Sequence, residues 1–435
     1  MRFTTLVIVG ALAALTEPSL GQSAPPTTIQ QSIGVQALTL ADAWRLAEEA
    51  NPAFKSKQAQ LIAAEGVRTD AGALLFNNPQ ITLDRTRRDV PQAGLPIERR
   101  SEWRAGLSQT LEIAGQRGYR RDAADAALIA LRAEIKDVRR QVHAEVAQQF
   151  YRVLALQQRA ELENQALALF ENTATAIQKR RTAGEDTKLD SNVASVEAER
   201  ARNQLAVAHE QLLDARSELA AKLQLAPSLL PEVSGDLAEH VASAPYALER
   251  LLASLESQPR LGALAAREDS ARAKLNLEQA SRYPDVTVGL NVGREGSGDA
   301  RERLTTLSVS VPLPLFKRNA TGVGQATSEL QLAGIERQAA TRNARAQVHA
   351  LWSKLQSLQA RVRRLQDSVL PALTDNQQLS LKSQRAGQIS LLELIVINRQ
   401  ALDARRDLID ALTDYQTTRL ALEQAAGWSQ EGMNP

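Results

Sequence analysis

Hydrophobic and polar positions follow two different periods along this chain. Two short segments alternate strictly, with apolar residues at Val286, Val288, Leu290 and Val292 and again at Leu307, Val309, Val311 and Leu313. A period of two predicts strands with one apolar face. Longer segments place apolar residues at steps of four and three, as in the series Ala194, Ala198, Ala201, Leu205, Ala208, Leu212, Ala215 and Leu219. That heptad spacing predicts a helix that packs along a coiled-coil seam.

The first half of the chain combines both patterns. Its predicted elements are a helix from Thr39 to about Phe76, strands over 80–88 and 101–113, a helix from Gln116 to about Arg181, and a helix from about Lys188 that ends before Pro227. A polar loop with Pro91, Gly94 and Pro96 is expected between the two strands. The helix from Gln116 would be about 95–100 Å long at a rise of about 1.5 Å per residue. A globular domain does not need a helix of this length.

The second half repeats this plan about 203 residues later. Ala183 and Gly184 recur as Ala386 and Gly387, and the seam recurs through Ile397, Ala401, Ala404, Leu408, Ala411 and Tyr415. The predicted elements are a helix over 247–281, strands over 286–292 and 307–313, and a helix from about Val323 to Gln384 with Pro371 as a kink. Solenoid repeats have periods of about 20–50 residues, so this is a duplicated half-domain rather than a solenoid.

These patterns divide the chain into six segments. They are a signal peptide (1–21), an irregular tail (22–38), a first repeat (39–225), a connector (226–246), a second repeat (247–427) and a C-terminal tail (428–435). Arg2, the short apolar stretch that follows it, and the small residues Ser19 and Gly21 are typical of a secretory signal. The alternative interpretation is a buried N-terminal helix.

Composition narrows the possible functions. The formal net charge is +2, and basic and acidic residues are interspersed, so no nucleic-acid surface is expected. The chain has no cysteine, which excludes disulfides, thiolate metal sites and lipid attachment at an N-terminal cysteine. No run of about 18 apolar residues follows the signal, so no transmembrane helix is predicted. An exported chain of this kind can still span a membrane as a closed barrel.

The four predicted strands have the length and alternation of membrane strands, and Trp103 suits an interfacial aromatic band. Four strands cannot close a barrel, because the smallest membrane barrels have about eight. Protomers would therefore have to share one barrel, with eight strands from two copies or twelve from three. The alternative is a soluble four-stranded sheet covered by helices.

The duplicated plan resembles the TolC-type outer-membrane efflux family over essentially the whole mature chain. The turns over 181–190 and 385–393 match the family's helix-turn-helix tips, and the stretches 111–118 and 311–319 resemble its heavy-metal (Czc-type) branch. The resemblance implies a mainly α fold with a small β part. It would form a long α-helical coiled-coil barrel and a transmembrane β-barrel, with four strands per protomer and twelve in a homotrimer. It also implies an outer-membrane location and two partners, a periplasmic adaptor and an inner-membrane RND pump. The absence of cysteine predicts that the chain is not lipidated.

The resemblance assigns candidate sites to the two turns. The expected adaptor-docking tips are Ala183, Gly184, Leu189, Ala386, Gly387 and Leu392. Asp190 and Glu393 match positions near the family's periplasmic constriction and are the candidate gate carboxylates. Both also lie three residues after Thr187 and Ser390, which is the spacing of a helix capping box. Where the family often has a second acid, this chain has Val396, so its ring of charge would be thinner.

No enzymatic or metal-binding chemistry is predicted. The four histidines, His143, His209, His240 and His349, are scattered and expected on solvated surfaces, and neither a catalytic constellation nor a cofactor motif is present. The leading function is a passive exit duct for divalent metal cations such as cobalt, zinc or cadmium. The alternatives are the same duct for drugs, other organic compounds or a secreted polypeptide, and a periplasmic coiled-coil scaffold without a pore.

Overall fold

The computed structural model describes residues 37–226, 228–239, 241, 247–296, 301–386 and 388–428. The predicted signal peptide, nearly all of the two predicted tails, His240 and Gly387 lie outside these ranges. The first half contains α1 (Leu40–Ala50), α2 (Pro52–Gly72), β1 (Gln80–Gln92), β2 (Leu95–Leu111), α3 (Gln116–Thr182) and α4 (Lys188–Lys222). The second half contains α5 (Leu248–Ser254), α6 (Pro259–Ala280), β3 (Val286–Glu295), β4 (Glu302–Ser310), α7 (Ala320–Arg364), α8 (Leu370–Arg385) and α9 (Leu391–Ala426). The two halves therefore follow the same order of helices and strands, except that α7 and α8 take the place of the single helix α3.

The single helix predicted from Thr39 to Phe76 is two helices, and that prediction was wrong. Asn51 ends α1 in an extended conformation, which the following Pro52 favours by its ring. The Asn51 side chain then starts α2, because its Oδ1 accepts from the backbone N–H of Ala53 at 2.9 Å. Gln258 before Pro259 has nearly the same backbone angles, so the helix predicted over 247–281 is broken at the equivalent place.

The four strands form one antiparallel sheet in chain order. The polar loop predicted around Pro91, Gly94 and Pro96 is wrong, because β1 and β2 continue to a tight turn in which Gly94 has a φ of 79°. Pro91 lies at a shift in register between the strands, where a missing N–H is tolerated. β4 begins before the predicted 307–313 and ends at Ser310, because Pro312 and Pro314 cannot donate to a neighbouring strand.

Cross-strand pairing places the apolar residues of the sheet on one face. Ile81, Leu107, Leu290 and Leu307 lie side by side in one row across the four strands. The neighbouring row on the opposite face is Thr82, Gly106, Asn291 and Thr306. All four residues of the apolar row are at least half exposed in the protomer. The sheet thus has the two-faced pattern predicted from the alternation.

α3 and α4 pack as a long antiparallel pair, and α9 lies against α3, α7 and α8. The predicted seams are confirmed: Ala194, Ala201, Ala208 and Ala215 are buried on α4, as are the matching alanines of α9. The helix predicted from Val323 to Gln384 is interrupted by a π-helical turn over Leu365–Val369. Pro371 lies two residues after the end of this turn, and the wider turn accommodates the carbonyl that its ring would otherwise meet. None of the helices in these ranges is long and apolar enough to cross a membrane.

The main core lies where the connector between the halves meets the long helices, and it includes Phe150, Leu219, Leu237 and Tyr415. Gln157 on α3 binds one end of this connector through two hydrogen bonds, since its side-chain amide both donates to and accepts from the backbone of Val233. Gln359, about 202 residues later on α7, donates to the carbonyl of Val241 at 2.7 Å. Equivalent glutamines of the two halves thus fix the connector against the long helices.

Candidate functional site

The first candidate tip is the turn between α3 and α4. Gly184 has a φ of 82°, which the absence of a Cβ makes inexpensive. Its N–H donates to the carbonyl of Arg181 at 3.0 Å, and the N–H of Glu185 donates to that of Arg180 at 2.9 Å. These two bonds form a Schellman motif, so the predicted glycine cap is confirmed here. α4 then begins with a capping box between Thr187 and Asp190.

The second tip, between α8 and α9, has the same design. The N–H of Gln388 donates to the carbonyl of Ser383 at 2.9 Å, which is the longer bond of a Schellman motif. Gly387, the residue predicted to take the left-handed conformation, lies outside the described residues. α9 begins with a capping box between Ser390 and Glu393. Both predicted capping boxes are therefore present.

Both tips lie at the same end of the helical part. A small apolar cluster packs the first turns of α4 and α9 against α3, and its members include Phe170, Ile177, Ala194, Leu391 and Ile395. The cluster is one contiguous unit, so the two turns are neighbours although their sequences are far apart.

The predicted docking residues are exposed. Leu189 and Leu392 occupy the same position in the first turns of α4 and α9, and they are 71% and 62% exposed. Ala183, Gly184 and Ala386 are exposed beside them. An exposed leucine is ordinary by itself, but two at equivalent positions of a duplicated turn form a repeated apolar feature. The turns themselves are fixed by their caps.

The candidate gate carboxylates, Asp190 and Glu393, are ionised, and each belongs to a helix capping box. Hydrogen bonds from the hydroxyl and the backbone N–H of Thr187 lower the pKa of Asp190. The backbone N–H and the hydroxyl of Ser390 likewise lower the pKa of Glu393. Each carboxylate uses a single oxygen, Oδ2 or Oε2, for these bonds. The second oxygen, Asp190 Oδ1 or Glu393 Oε1, accepts no hydrogen bond from any described residue.

Sequence reasoning missed several charged contacts near the tips. Arg180 in the last turn of α3 lies 3.2 Å from a carboxylate oxygen of the half-buried Asp186. The run of basic residues before Gly184, Lys179 to Arg181, was a usable signal, because cations are favoured at a helix C-terminus. On the next turns of the helices, Arg399 of α9 donates to Glu197 of α4 at 2.8 Å. No spacing in the sequence indicates that pair.

The surface location predicted for His143 was wrong. Its side chain is buried, stacks on Trp44 with ring centroids 5.4 Å apart, and has Nε2 2.5 Å from Glu48 Oε1. Burial lowers the pKa of His143, and the neighbouring Glu48 opposes that shift. His209 and His349 are exposed, as predicted. Among the described residues there is no group of three or more histidine, aspartate and glutamate side chains placed to hold a metal ion.

Both halves of the chain are similar in sequence to known proteins. The profile of the outer membrane efflux protein family matches residues 44–223 and 251–428, which are the two halves. The cobalt-zinc-cadmium resistance protein CzcC of Cupriavidus metallidurans is 28% identical over 92% of this chain and 91% of its own length. The nickel-cobalt-cadmium resistance protein NccC of Alcaligenes xylosoxydans xylosoxydans is 24% identical over 73% and 75%. The pyoverdine export outer membrane protein OpmQ of Pseudomonas putida is 26% identical over 95% and 92%.

Solved structures show the same fold. The outer membrane protein VceC of Vibrio cholerae superposes with a TM-score of 0.73 at 20% identity, covering 90% of this chain and 96% of VceC. The transmembrane channel CusC superposes with a TM-score of 0.72 at 17% identity, covering 95% and 99%. The family match spans most of the chain, and the proteins of this family are efflux channels rather than enzymes. The chain belongs to the outer membrane efflux protein family.

Proposed function

We propose that this protein is the outer-membrane exit duct of a tripartite RND-type efflux system, and that three copies form one channel. In this proposal residues 1–21 direct export and are removed, and the mature chain is not lipidated. The sheet contributes to a shared barrel, and the long helices form a periplasmic tunnel that ends at the two tips. A periplasmic adaptor docks at the tips and links the duct to an inner-membrane pump.

The sheet supports the shared barrel. Its edges, β1 and β4, have no strand partner within the described protomer. Unpaired strand edges are not tolerated in lipid, and membrane barrels have about eight strands or more. Three sheets of four strands joined edge to edge give the twelve strands expected of a homotrimer.

The duplicated tips are the observation that carries the docking role. Each turn presents an exposed leucine, Leu189 or Leu392, from a capped helix start. Because the caps fix the backbone, an adaptor would meet a preformed surface and lose little entropy on binding. A helical hairpin of the adaptor could then pack an apolar side chain beside each leucine.

Asp190 and Glu393 support a passive role for the duct in moving cations. Their pKa values are lowered, so both are ionised near neutral pH, and each keeps one oxygen free of the cap. Rings of carboxylates favour cations and oppose anions in a pore. The described residues offer no chelating cluster, so a metal ion would pass through the duct without being held.

Divalent heavy-metal cations are the proposed substrate, because the names of CzcC and NccC describe resistance to cobalt, zinc, nickel and cadmium. The second candidate is an organic compound, since OpmQ is named for pyoverdine export and matches a similar share of the chain. A periplasmic scaffold without a pore is disfavoured by the family match over both halves.

The test measures cobalt, zinc and cadmium in metal-loaded cells with and without the protein, with a dye-retention assay in parallel. We expect cells without the protein to retain metal and to lose dye normally. Retained dye with unchanged metal would contradict the metal assignment and support an organic substrate. Unchanged levels of both would contradict the exit-duct proposal.

The docking role is tested with Leu189→Asp combined with Leu392→Asp. The matched control is Ile62→Asp combined with Ile129→Asp, since these side chains are 78% and 60% exposed on α2 and α3. Ile129 lies about 80 Å along α3 from the tip at about 1.5 Å per residue. We expect adaptor pull-down to fail for the tip variant alone, while both variants retain wild-type amounts of oligomer in the outer membrane. Equal adaptor binding by both would contradict the docking role.

A further inference from the structure

The two faces of the sheet carry different charges beyond the apolar band. On the apolar face, the row Leu83, Ala105, Val292 and Thr305 is followed directly by the row Arg85, Trp103, Arg294 and Arg303. Strand alternation places Arg87, Arg99 and Arg301 on the same face, still further from the helices. The side chains of this arginine face are exposed. It continues the surface that would contact lipid.

The opposite face of the same strands holds most of the acids. Asp84, Glu98, Glu102, Glu295 and Glu302 alternate there with arginines. Those arginines are paired: Arg100 lies 2.8 Å from Glu98, and Arg104 contacts Glu295. On the arginine face the one described strand acid is Asp89, which lies against Arg99. Arginine side chains without an acidic partner are therefore concentrated on the face that points away from the lumen.

The positive charges of Arg85, Arg294 and Arg303 are not neutralised by ion pairs with described acidic residues. Arg294 and Arg303 are direct cross-strand neighbours, and like charges in that arrangement destabilise a sheet. Neither they nor Arg85 forms an ion pair with any described residue. Arg85, Trp103, Arg294 and Arg301 instead line an open cavity of about 460 Å³ on this face, and the one acid in its lining, Glu295, is paired with Arg104. A bound anion would offset the repulsion between these guanidinium groups.

The location identifies the anion as one carried by a lipid. Trp103 stands in the row where the apolar band ends, which is where aromatic residues of membrane barrels meet the headgroups. The helices join the opposite end of every strand, so in the proposed duct the arginines lie on the outer-leaflet side. Guanidinium groups bind phosphate by paired hydrogen bonds. The outer leaflet of an outer membrane is built from phosphorylated glycolipid.

We infer that Arg85, Arg294 and Arg303, with Trp103 between them, form a binding site for the phosphate groups of lipopolysaccharide. The inference rests on the proposed barrel, because it requires the sheet to span the outer membrane. It goes beyond export, since the site would anchor the duct in the asymmetric bilayer and fix its depth.

The test uses the full-length oligomer purified in detergent and native mass spectrometry with lipid A. The probes are lipid A with its phosphates, the same lipid A after dephosphorylation, and inorganic phosphate as competitor. The variant combines Arg85→Gln, Arg294→Gln and Arg303→Gln. The control combines Arg88→Gln, Arg100→Gln and Arg104→Gln, which removes the same charge from the same part of the sheet but from the opposite face. Arg294→Lys is a milder second variant that keeps the charge and loses the paired geometry.

We expect this outward variant, which changes Arg85, Arg294 and Arg303, to weaken binding of phosphorylated lipid A by about tenfold or more, because the charge-assisted paired hydrogen bonds to phosphate are lost. The control should bind as the wild type does, and Arg294→Lys should fall between them. Equal binding by the outward variant, equal binding of dephosphorylated lipid A, or displacement by inorganic phosphate at equal concentration would overturn the inference. Membrane fractionation separates the two proposals: a wild-type protein outside the outer membrane contradicts the barrel, whereas a correctly inserted oligomer without phosphate preference contradicts this inference alone.

Discussion

Arg399 and Glu197 join the two halves of the chain close to the tips. The Arg399 Nε donates to Glu197 Oε2 at 2.8 Å, and the Glu197 side chain is only 10% exposed. The two helices that carry them, α4 and α9, contact each other little elsewhere. This ion pair is therefore a principal direct link between the duplicated helices at the end of the molecule that carries the two tips.

Arg399→Gln should lower stability, because it leaves the largely buried Glu197 without its strongest partner. We expect a loss of about 1–2 kcal/mol, reduced from the value for a fully buried pair because Arg399 is partly exposed. The measurement is the midpoint of thermal loss of helical signal. Arg202→Gln is the control, since its ion pairs with Glu171 of α3 and Glu199 of α4 are exposed, and it should change the midpoint little. Equal shifts in both variants would contradict a special role for the link.

Gly184→Pro should abolish export while leaving the inserted oligomer intact. Proline cannot adopt the observed φ of 82°, and it lacks the N–H that donates to Arg181. The change distorts the tip, which lies far from the sheet and from the main core. Gly387→Pro is expected to act in the same way. Metal export and the amount of oligomer in the outer membrane would be measured together, and loss of the oligomer in both variants would mean that the glycines serve folding only.

Asp190→Asn combined with Glu393→Gln should reduce the preference of the channel for cations. The amide oxygens can still accept the capping hydrogen bonds, so the helix starts are retained while the charge is removed. The measurement is the cation-to-anion permeability ratio of purified channels in planar bilayers. We expect the ratio to fall by about twofold or more if carboxylate rings set selectivity. An unchanged ratio would leave the two acids with a capping role only.

We expect the protein to become less stable as the pH falls through the range in which His143 titrates. Burial lowers the pKa of His143 below its ordinary value of 6.5, against the opposing effect of Glu48 and with a small contribution from Arg139. The unfolded chain therefore binds a proton before the folded one, and folding is destabilised as pH falls below about 6.5. Thermal midpoints between pH 7.5 and 5 should show this slope in the wild type. His143→Gln should flatten it, whereas the exposed His349→Gln should not.

Two glycine-to-alanine changes should have opposite signs. A Cβ on Gly106 would lie 2.2 Å from Asn291 Oδ1 and 2.5 Å from Thr82 Oγ1 on the polar face of the sheet. Asn291 and Thr82 would have to leave their present rotamers to admit it, so we expect Gly106→Ala to destabilise the protein by about 0.5–1.5 kcal/mol and to reduce barrel assembly. Gly66, within α2, has open space around it, so Gly66→Ala should stabilise by about 0.5–1 kcal/mol. Heat resistance of the assembled oligomer measures both, and a stabilising Gly106→Ala would contradict the packing argument.

The sequence was informative where a single periodic pattern dominated. The seam alanines and the capping boxes were predicted correctly because their geometry depends on neighbours three and four residues away. The outer parts of β1 and β2 were missed, because arginines and acids there replace the apolar residues that would show a period of two. The breaks at Asn51 and Gln258 were missed although Pro52 and Pro259 were usable signals, since the residue before a proline is disfavoured in the helical conformation.

The contacts of the site were harder to predict than its turns. His143 was misplaced because its burial depends on Trp44 and Glu48, which pack on it from another helix about 95 residues away. The pair of Arg399 and Glu197 depends on how α4 and α9 approach each other across the duplication. Such contacts follow from three-dimensional packing, and a single sequence gives no local signal for them.

The unbroken length of α3 has a consequence for how the chain can change. With 67 residues, α3 extends about 100 Å at about 1.5 Å per residue, and α4 returns beside it for about half that distance. The number of residues in α3 therefore sets the distance between the membrane and the tips. An insertion into α3 alone would rotate every later side chain away from its partners on α4. Lengthening the duct requires matched insertions of seven residues in both helices and in both halves, so periplasmic width and duct length can change together only in discrete steps.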